Sequence, residues 1–139
     1  IFAGENDPAM VRTLSFMLDN QRNAFVPKIR SVKKVWADEE DRWMVAIFME
    51  ALKPVKRKFA KDIDHLLNTN HTIDDKFWKQ LSNIIIKYEP NSQKDLYVII
   101  SFLSGHMKKY VQPQDFSSQN WMMRGNQLVL VDPFWPHMD

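Results

Sequence analysis

Two hydrophobic periods alternate along the chain, and the points where one gives way to the other divide it into elements. Behind Asp7-Pro8, a capping residue followed by a proline suited to a first helical turn, Met10, Leu14, Met17 and Leu18 recur at helical spacing. That pattern predicts a helix over residues 8–21. Residues 25–29 are apolar but carry Pro27, which suits a loop leading into an edge strand. Residues 32–36 and 43–49 are rich in β-branched and aromatic side chains. The acidic stretch Ala37-Asp38-Glu39-Glu40-Asp41 between them predicts a hairpin with a long loop. In the second run Val45, Ile47 and Met49 share one face and Met44, Ala46 and Phe48 the other, as in a central strand covered on both sides.

Helical spacing then returns. Phe59, Ile63, Leu66 and Leu67 fall in register over residues 56–68. Residues 74–88 open on an Asp pair and align Phe77, Trp78, Leu81, Ile84 and Ile85, until Glu89-Pro90-Asn91-Ser92 breaks the pattern. Residues 93–110 carry Leu96, Val98, Ile99, Ile100, Phe102, Leu103 and Met107. Being apolar nearly all round, they predict the longest helix and a central, buried one. A polar loop follows over residues 113–119. Short strands over 121–123 and 127–131 are joined by Arg124-Gly125-Asn126, a tight turn, and Asp132-Pro133 ends the second of them. The order is helix, two strands, three helices and a small hairpin, an α+β class.

Composition narrows the function. At 139 residues with 45% hydrophobic and 26% charged content, the chain fits one compact soluble domain or a large lobe. It has no cysteine, which excludes disulfides, thiolate metal sites and cysteine nucleophiles. No apolar run reaches the roughly 18 residues of a membrane span, so no membrane partner is expected. No signal peptide is visible. A formal charge of +2 does not imply a nucleic-acid partner. Lys53, Lys56, Arg57, Lys58 and Lys61 cluster, and the simplest reading is a solvated helix face. His65, His71, His106 and His137 form no pair at metal-ligand spacing, and no nucleophile elbow surrounds Ser117 and Ser118.

One segment carries chemistry. Asp115 is followed by an amide, Asn120, and beyond the hairpin by a second carboxylate, Asp132. Phosphoryl transfer needs few covalent partners: a carboxylate beside the acceptor hydroxyl, and oxygen ligands that hold Mg²⁺ against the phosphates. Mg²⁺ takes hard oxygen donors and usually only one or two carboxylates. The three residues supply those groups, and the hairpin turns the chain at Asp132 back toward Asn120.

In this order and setting the chain resembles the protein-kinase-like superfamily. Residues 115–120 look like the kinase catalytic loop, with Asp115 in the place of the base and Asn120 in that of the metal-binding amide. Asp132 looks like the metal-binding Asp that opens the Asp-Phe-Gly motif, written here Asp-Pro-Phe. The short gap from Asn120 to Asp132 is similar to compact bacterial and phage kinase-like proteins, most of all the early serine/threonine kinases of podophages. Residues 44–54 resemble the last strand of a kinase N-lobe running into the hinge. Met49 then stands as gatekeeper, and the backbone of Glu50, Ala51 and Leu52 faces the adenine. The helix over 8–21 corresponds to αC and that over 93–110 to the helix before the catalytic loop. The sequence departs from the pattern in two motifs: Pro113-Gln114 replaces the usual His-Arg, and Pro133-Phe134 follows the metal-binding Asp. Asp19 is the only acidic candidate on the αC-like helix to pair a strand lysine. The Gly-rich loop and that lysine are expected before Ile1.

The resemblance implies a protein-kinase-like fold, with residues 1–52 as a partial N-lobe and 53–139 as a reduced helical C-lobe ending in a β-hairpin. It implies transfer of the γ-phosphate of ATP, with Mg²⁺, to a Ser/Thr hydroxyl of a protein substrate or host protein partner. The setting would be the cytoplasm, that of a bacterial host for a bacteriophage protein engaged in host takeover. Two alternatives stay open: a catalytically inactive kinase-like binding or inhibitory protein, and a small-molecule kinase of the aminoglycoside or choline type. The oligomeric state is left open.

Overall fold

The computed structural model describes the backbone of residues 2–4 and 8–131 and the side chains of residues 10–131. Asp7, Asp132, Pro133, Phe134, Trp135 and Met138 lie outside the described residues. Within them the architecture is α+β, with four α-helices and two small antiparallel sheets.

The first sheet holds β1 (Phe2–Gly4), β2 (Ile29–Ala37) and β3 (Arg42–Met49) in the order β1-β3-β2. The hairpin expected from the β-rich runs is there, with Val32 opposite Ile47 and Trp36 opposite Trp43. Its acidic turn includes Asp41 at φ 52°, a left-handed backbone that Asp adopts more readily than most residues. β3 is central, as its two apolar faces predict, but it is only partly covered. Helix α1 (Pro8–Asp19) lays Met10 on Ile47, while on the opposite face Met44 and Ala46 are buried and Phe48 stays 48% exposed. The Lys33 ammonium lies 5.6 Å from the Phe48 ring centroid, so this face ends in a solvated cation–aromatic contact rather than in core.

Three helices form the body: α2 (Arg57–Thr69), α3 (Asp75–Tyr88) and α4 (Gln93–Gly105). Asp74 caps α3 by accepting the Phe77 N–H at 2.8 Å, the role its place before the apolar register suggests. Phe59, Ile63 and Leu66 of α2 meet Phe77, Leu81 and Ile85 of α3 in one core. The helix expected over 93–110 is shorter and less buried than its composition suggests. It ends at Gly105, and Tyr97 is 75% exposed. Gly is a poor helix former, and past it the Met107 N–H turns back to the Phe102 carbonyl, while Met107 and Val111 drop into the core. Only Leu96, Ile99 and Leu103 are buried along α4.

The second sheet is β4 (Lys53–Pro54), β5 (Trp121–Arg124) and β6 (Gln127–Leu130), in that order. The β5–β6 hairpin matches the expected one. β4, at the end of the stretch that resembles a hinge, pairs Lys53 with Met123 and Pro54 with Met122. Gly125 in the hairpin turn has φ 61°, and a Cβ placed there meets nothing within 4 Å. Gly125→Ala therefore carries a purely conformational cost of about 1 kcal/mol. A thermal melt should show it as a Tm lowered by roughly 2–4 °C, and an unchanged Tm would mean that the turn relaxes.

The principal core joins elements on both sides of residue 52: Met17, Phe25 and Val26 belong to the same cluster as the α2–α4 residues, Phe116, Trp121, Met123, Leu128 and Leu130. Met49 and Ile29 pack against both this cluster and the smaller one around Met10 and Ile47.

Candidate functional site

The polar loop after α4 is two short 3₁₀ turns, Pro113–Phe116 and Ser118–Asn120. Its position is fixed from below. Phe116 is fully buried and packs on Phe77 and Trp78, with ring centroids 5.8 and 5.4 Å away. Trp121 donates its indole N–H to the Phe116 carbonyl at 3.2 Å and is edge-on to Phe59. These aromatic anchors alternate with polar positions, so burying the former presents Asp115 and Asn120 half-exposed. Burial thus sets the geometry of the loop, and its polar residues are carried to the surface.

Asp115 closes the first turn. Its Oδ2 accepts the Gln112 N–H at 2.8 Å, and its own N–H reaches the Gln112 carbonyl at 3.0 Å. A carboxylate held in this way has little freedom to rotate. Asn120 donates Nδ2 to the Asp115 carbonyl at 2.7 Å. A carbonyl can only accept, so this bond fixes the amide orientation and leaves Oδ1 as an acceptor. The structure therefore brings Asp115 and Asn120 together through one direct hydrogen bond.

The hairpin returns the chain to the same place. The Val131 N–H donates to the Asn120 carbonyl at 2.9 Å, and the Leu130 N–H to the Phe25 carbonyl at 2.9 Å. Asp132, next in sequence, lies outside the described residues; the chain is placed as far as its covalent neighbour.

The hinge-like segment is tied to this hairpin by contacts that sequence reasoning did not find. Glu50 Oε1 and Oε2 accept from Arg124 Nε and Nη2 at 2.7 and 2.8 Å, a two-bond fork. Arg124 Nη2 also donates to the Val26 carbonyl at 2.9 Å, and Nη1 to the Ala24 carbonyl at 3.3 Å. The Lys28 N–H donates to Glu50 Oε2. The Arg124 guanidinium holds the Glu50 carboxyl below its ordinary pKa of 4.5, against partial burial that pushes the other way. One signal in the sequence pointed here: Glu50 is the lone charge between Arg42 and Lys53, in an otherwise apolar stretch.

The same contacts alter the hinge expectation. The Glu50 N–H is engaged by the Lys28 carbonyl at 2.9 Å, which takes it from the groups free to face an adenine. Ala51 and Leu52 follow Glu50 and lie between β3 and the start of β4. Because β4 and β5 are antiparallel, Glu50 sits at the Arg124 end of β5, and the chain beyond Pro54 runs toward its Asn120 end. Met49 is half-buried at the junction of the two hydrophobic clusters.

No family model, curated protein or solved structure matches this chain. No helix among the described residues is long and apolar enough to cross a membrane. The class on which sequence and structure agree is α+β.

Proposed function

We propose that the chain is a protein-kinase-like phosphotransferase, moving the γ-phosphate of Mg-ATP to a Ser or Thr hydroxyl of a protein. The observation that carries this reading is the Asp115–Asn120 pair, locked by the Nδ2-to-carbonyl bond, with the hairpin returning Val131 to the Asn120 carbonyl. Asp115 is the general base for the acceptor hydroxyl. Asn120 Oδ1 and the Asp132 carboxylate are the metal ligands, a set of hard oxygens that suits Mg²⁺. Mg²⁺ bound there would neutralise charge on the phosphate oxygens. Ala51 and Leu52 offer backbone groups to the adenine, behind Met49 as gatekeeper. The protein-kinase-like fold, the reduced C-lobe, a phage origin and action in the host cytoplasm belong to the same proposal.

Isothermal titration calorimetry of the full-length protein with Mg-ATP, beside Asp132→Ala, tests it. Wild type should bind, and the variant should lose at least about 10-fold in affinity with an unchanged circular dichroism spectrum, as removal of a metal carboxylate requires. Absence of binding by wild type, or equal binding by the variant, sinks the proposal.

A further inference from the structure

The surface with the strongest unbalanced charge is the stretch over residues 53–61, where Lys53, Lys56, Arg57, Lys58 and Lys61 are all exposed. None of these side chains makes an ion pair or hydrogen bond among the described residues. Outside this stretch acidic residues outnumber basic ones, so the net positive charge of the chain comes from here. The arrangement also opposes local stability. Lys56 stands at the N-cap of α2 without a side-chain capping bond, and the first turn holds no acidic residue. Cations at that end of a helix face its positive dipole, each costing a few tenths of a kcal/mol or more. Charges placed against a local rule mark surfaces kept for a partner.

The register places this patch beside the candidate site. β4 runs antiparallel to β5, so the chain leaves Pro54 toward the Asn120 end of that strand. α2 then packs against both 3₁₀ turns of the loop that carries Asp115 and Asn120. An extended anionic segment lying along Lys53, Lys56, Arg57 and Lys61 therefore passes the loop holding Asp115.

We infer that residues 53–61 form a docking surface for an acidic protein segment, and that the acceptor hydroxyl belongs to a Ser or Thr flanked by Asp and Glu. The assignment of an acceptor rests on the kinase-like reading; the docking of acidic chain does not. A protein segment fits better than single-stranded nucleic acid because the patch shows no exposed aromatic side chain on which bases would stack: Phe59, its only aromatic, is buried. An anionic partner is steered to a dense cationic face such as this one, five basic residues in nine with no acid among them.

Fluorescence anisotropy of the full-length protein with a labelled Ser-containing peptide rich in Asp and Glu tests this. The controls are its Asn/Gln counterpart and a single-stranded RNA oligomer. The acidic peptide should bind, weaken as salt rises, and outbind both controls. The quadruple charge reversal Lys56→Glu, Arg57→Glu, Lys58→Glu and Lys61→Glu should weaken it at least about 10-fold, with the helical circular dichroism retained because acids suit a helix start. The single change Lys61→Glu, away from that first turn, should weaken binding in the same direction. Equal binding by the reversed protein, or tighter binding of RNA than of the acidic peptide, overturns the inference. Wild-type peptide binding without any Mg-ATP binding sustains the docking surface and overturns the kinase reading.

Discussion

Asp115→Asn should lower turnover about 10²- to 10⁴-fold, the range that a positioned general base contributes, with the affinity for Mg-ATP held within about 3-fold. The structure selects Asn over Ala for this experiment. Asp115 Oδ2 accepts the Gln112 N–H, so truncation to Ala would remove a turn-closing bond together with the proposed base. An Asn side chain keeps an acceptor oxygen there and loses only the basicity. Radiolabelled phosphate transfer to a protein acceptor measures the rate, and calorimetry measures the affinity. A variant that turns over at the wild-type rate removes Asp115 from the chemistry. A variant that loses nucleotide binding in parallel assigns it to the nucleotide site instead.

Glu50→Ala should destabilise the protein by about 2–4 kcal/mol. The change leaves the Arg124 guanidinium without its counter-charge and the Lys28 N–H without its side-chain acceptor. Breaking a fully buried pair costs about 3–5 kcal/mol; here the Arg124 side chain keeps 31% exposure and Glu50 14%, so water recovers part of that. Urea unfolding reads the effect as a lower midpoint at unchanged slope. The pair also sets a pH dependence. The Glu50 carboxyl has a folded pKa below its ordinary 4.5 because Arg124 favours the charged form. The stability it contributes is therefore fully present above about pH 4.5 and is lost as the pH falls through the lower folded value. Glu50→Gln should remove that component of the acid response while retaining one acceptor. An acid response identical in wild type and Glu50→Gln would show that other carboxylates dominate.

The pair also bears on function. It fastens the segment 50–52 to the hairpin whose far end returns to Asn120, so the two sides of the proposed nucleotide site are connected by a fork rather than by packing alone. A Glu50 variant that folds should therefore bind Mg-ATP more weakly than wild type.

Much of this architecture is legible along the chain because it depends on period and on local chemistry. The β2–β3 hairpin follows from alternation and the acidic turn, α3 from Asp74 ahead of an apolar register, and the β5–β6 turn from Gly125. The pairing of Asp115 with Asn120 is also local, since the five-residue spacing spans two tight turns. Where composition misled, packing decided: Gly105 and the turn after it end α4 early, and Tyr97 and Val98 face solvent because only the Leu96, Ile99 and Leu103 face of that helix is buried.

Sequence by itself therefore determined the order of the four helices and the two hairpins, the α+β class and the position of the polar loop, because hydrophobic spacing and turn residues act over a few positions. Only the tertiary structure decided that residues 53–54 form a strand, that Glu50 meets Arg124 across 74 positions, and that the basic run lies beside the Asp115 loop. The physical reason is the same in each case. A two-residue strand, a charge pair and a docking surface have no periodicity of their own. They exist only where burial of Phe59, Phe116 and Trp121 draws distant backbone together.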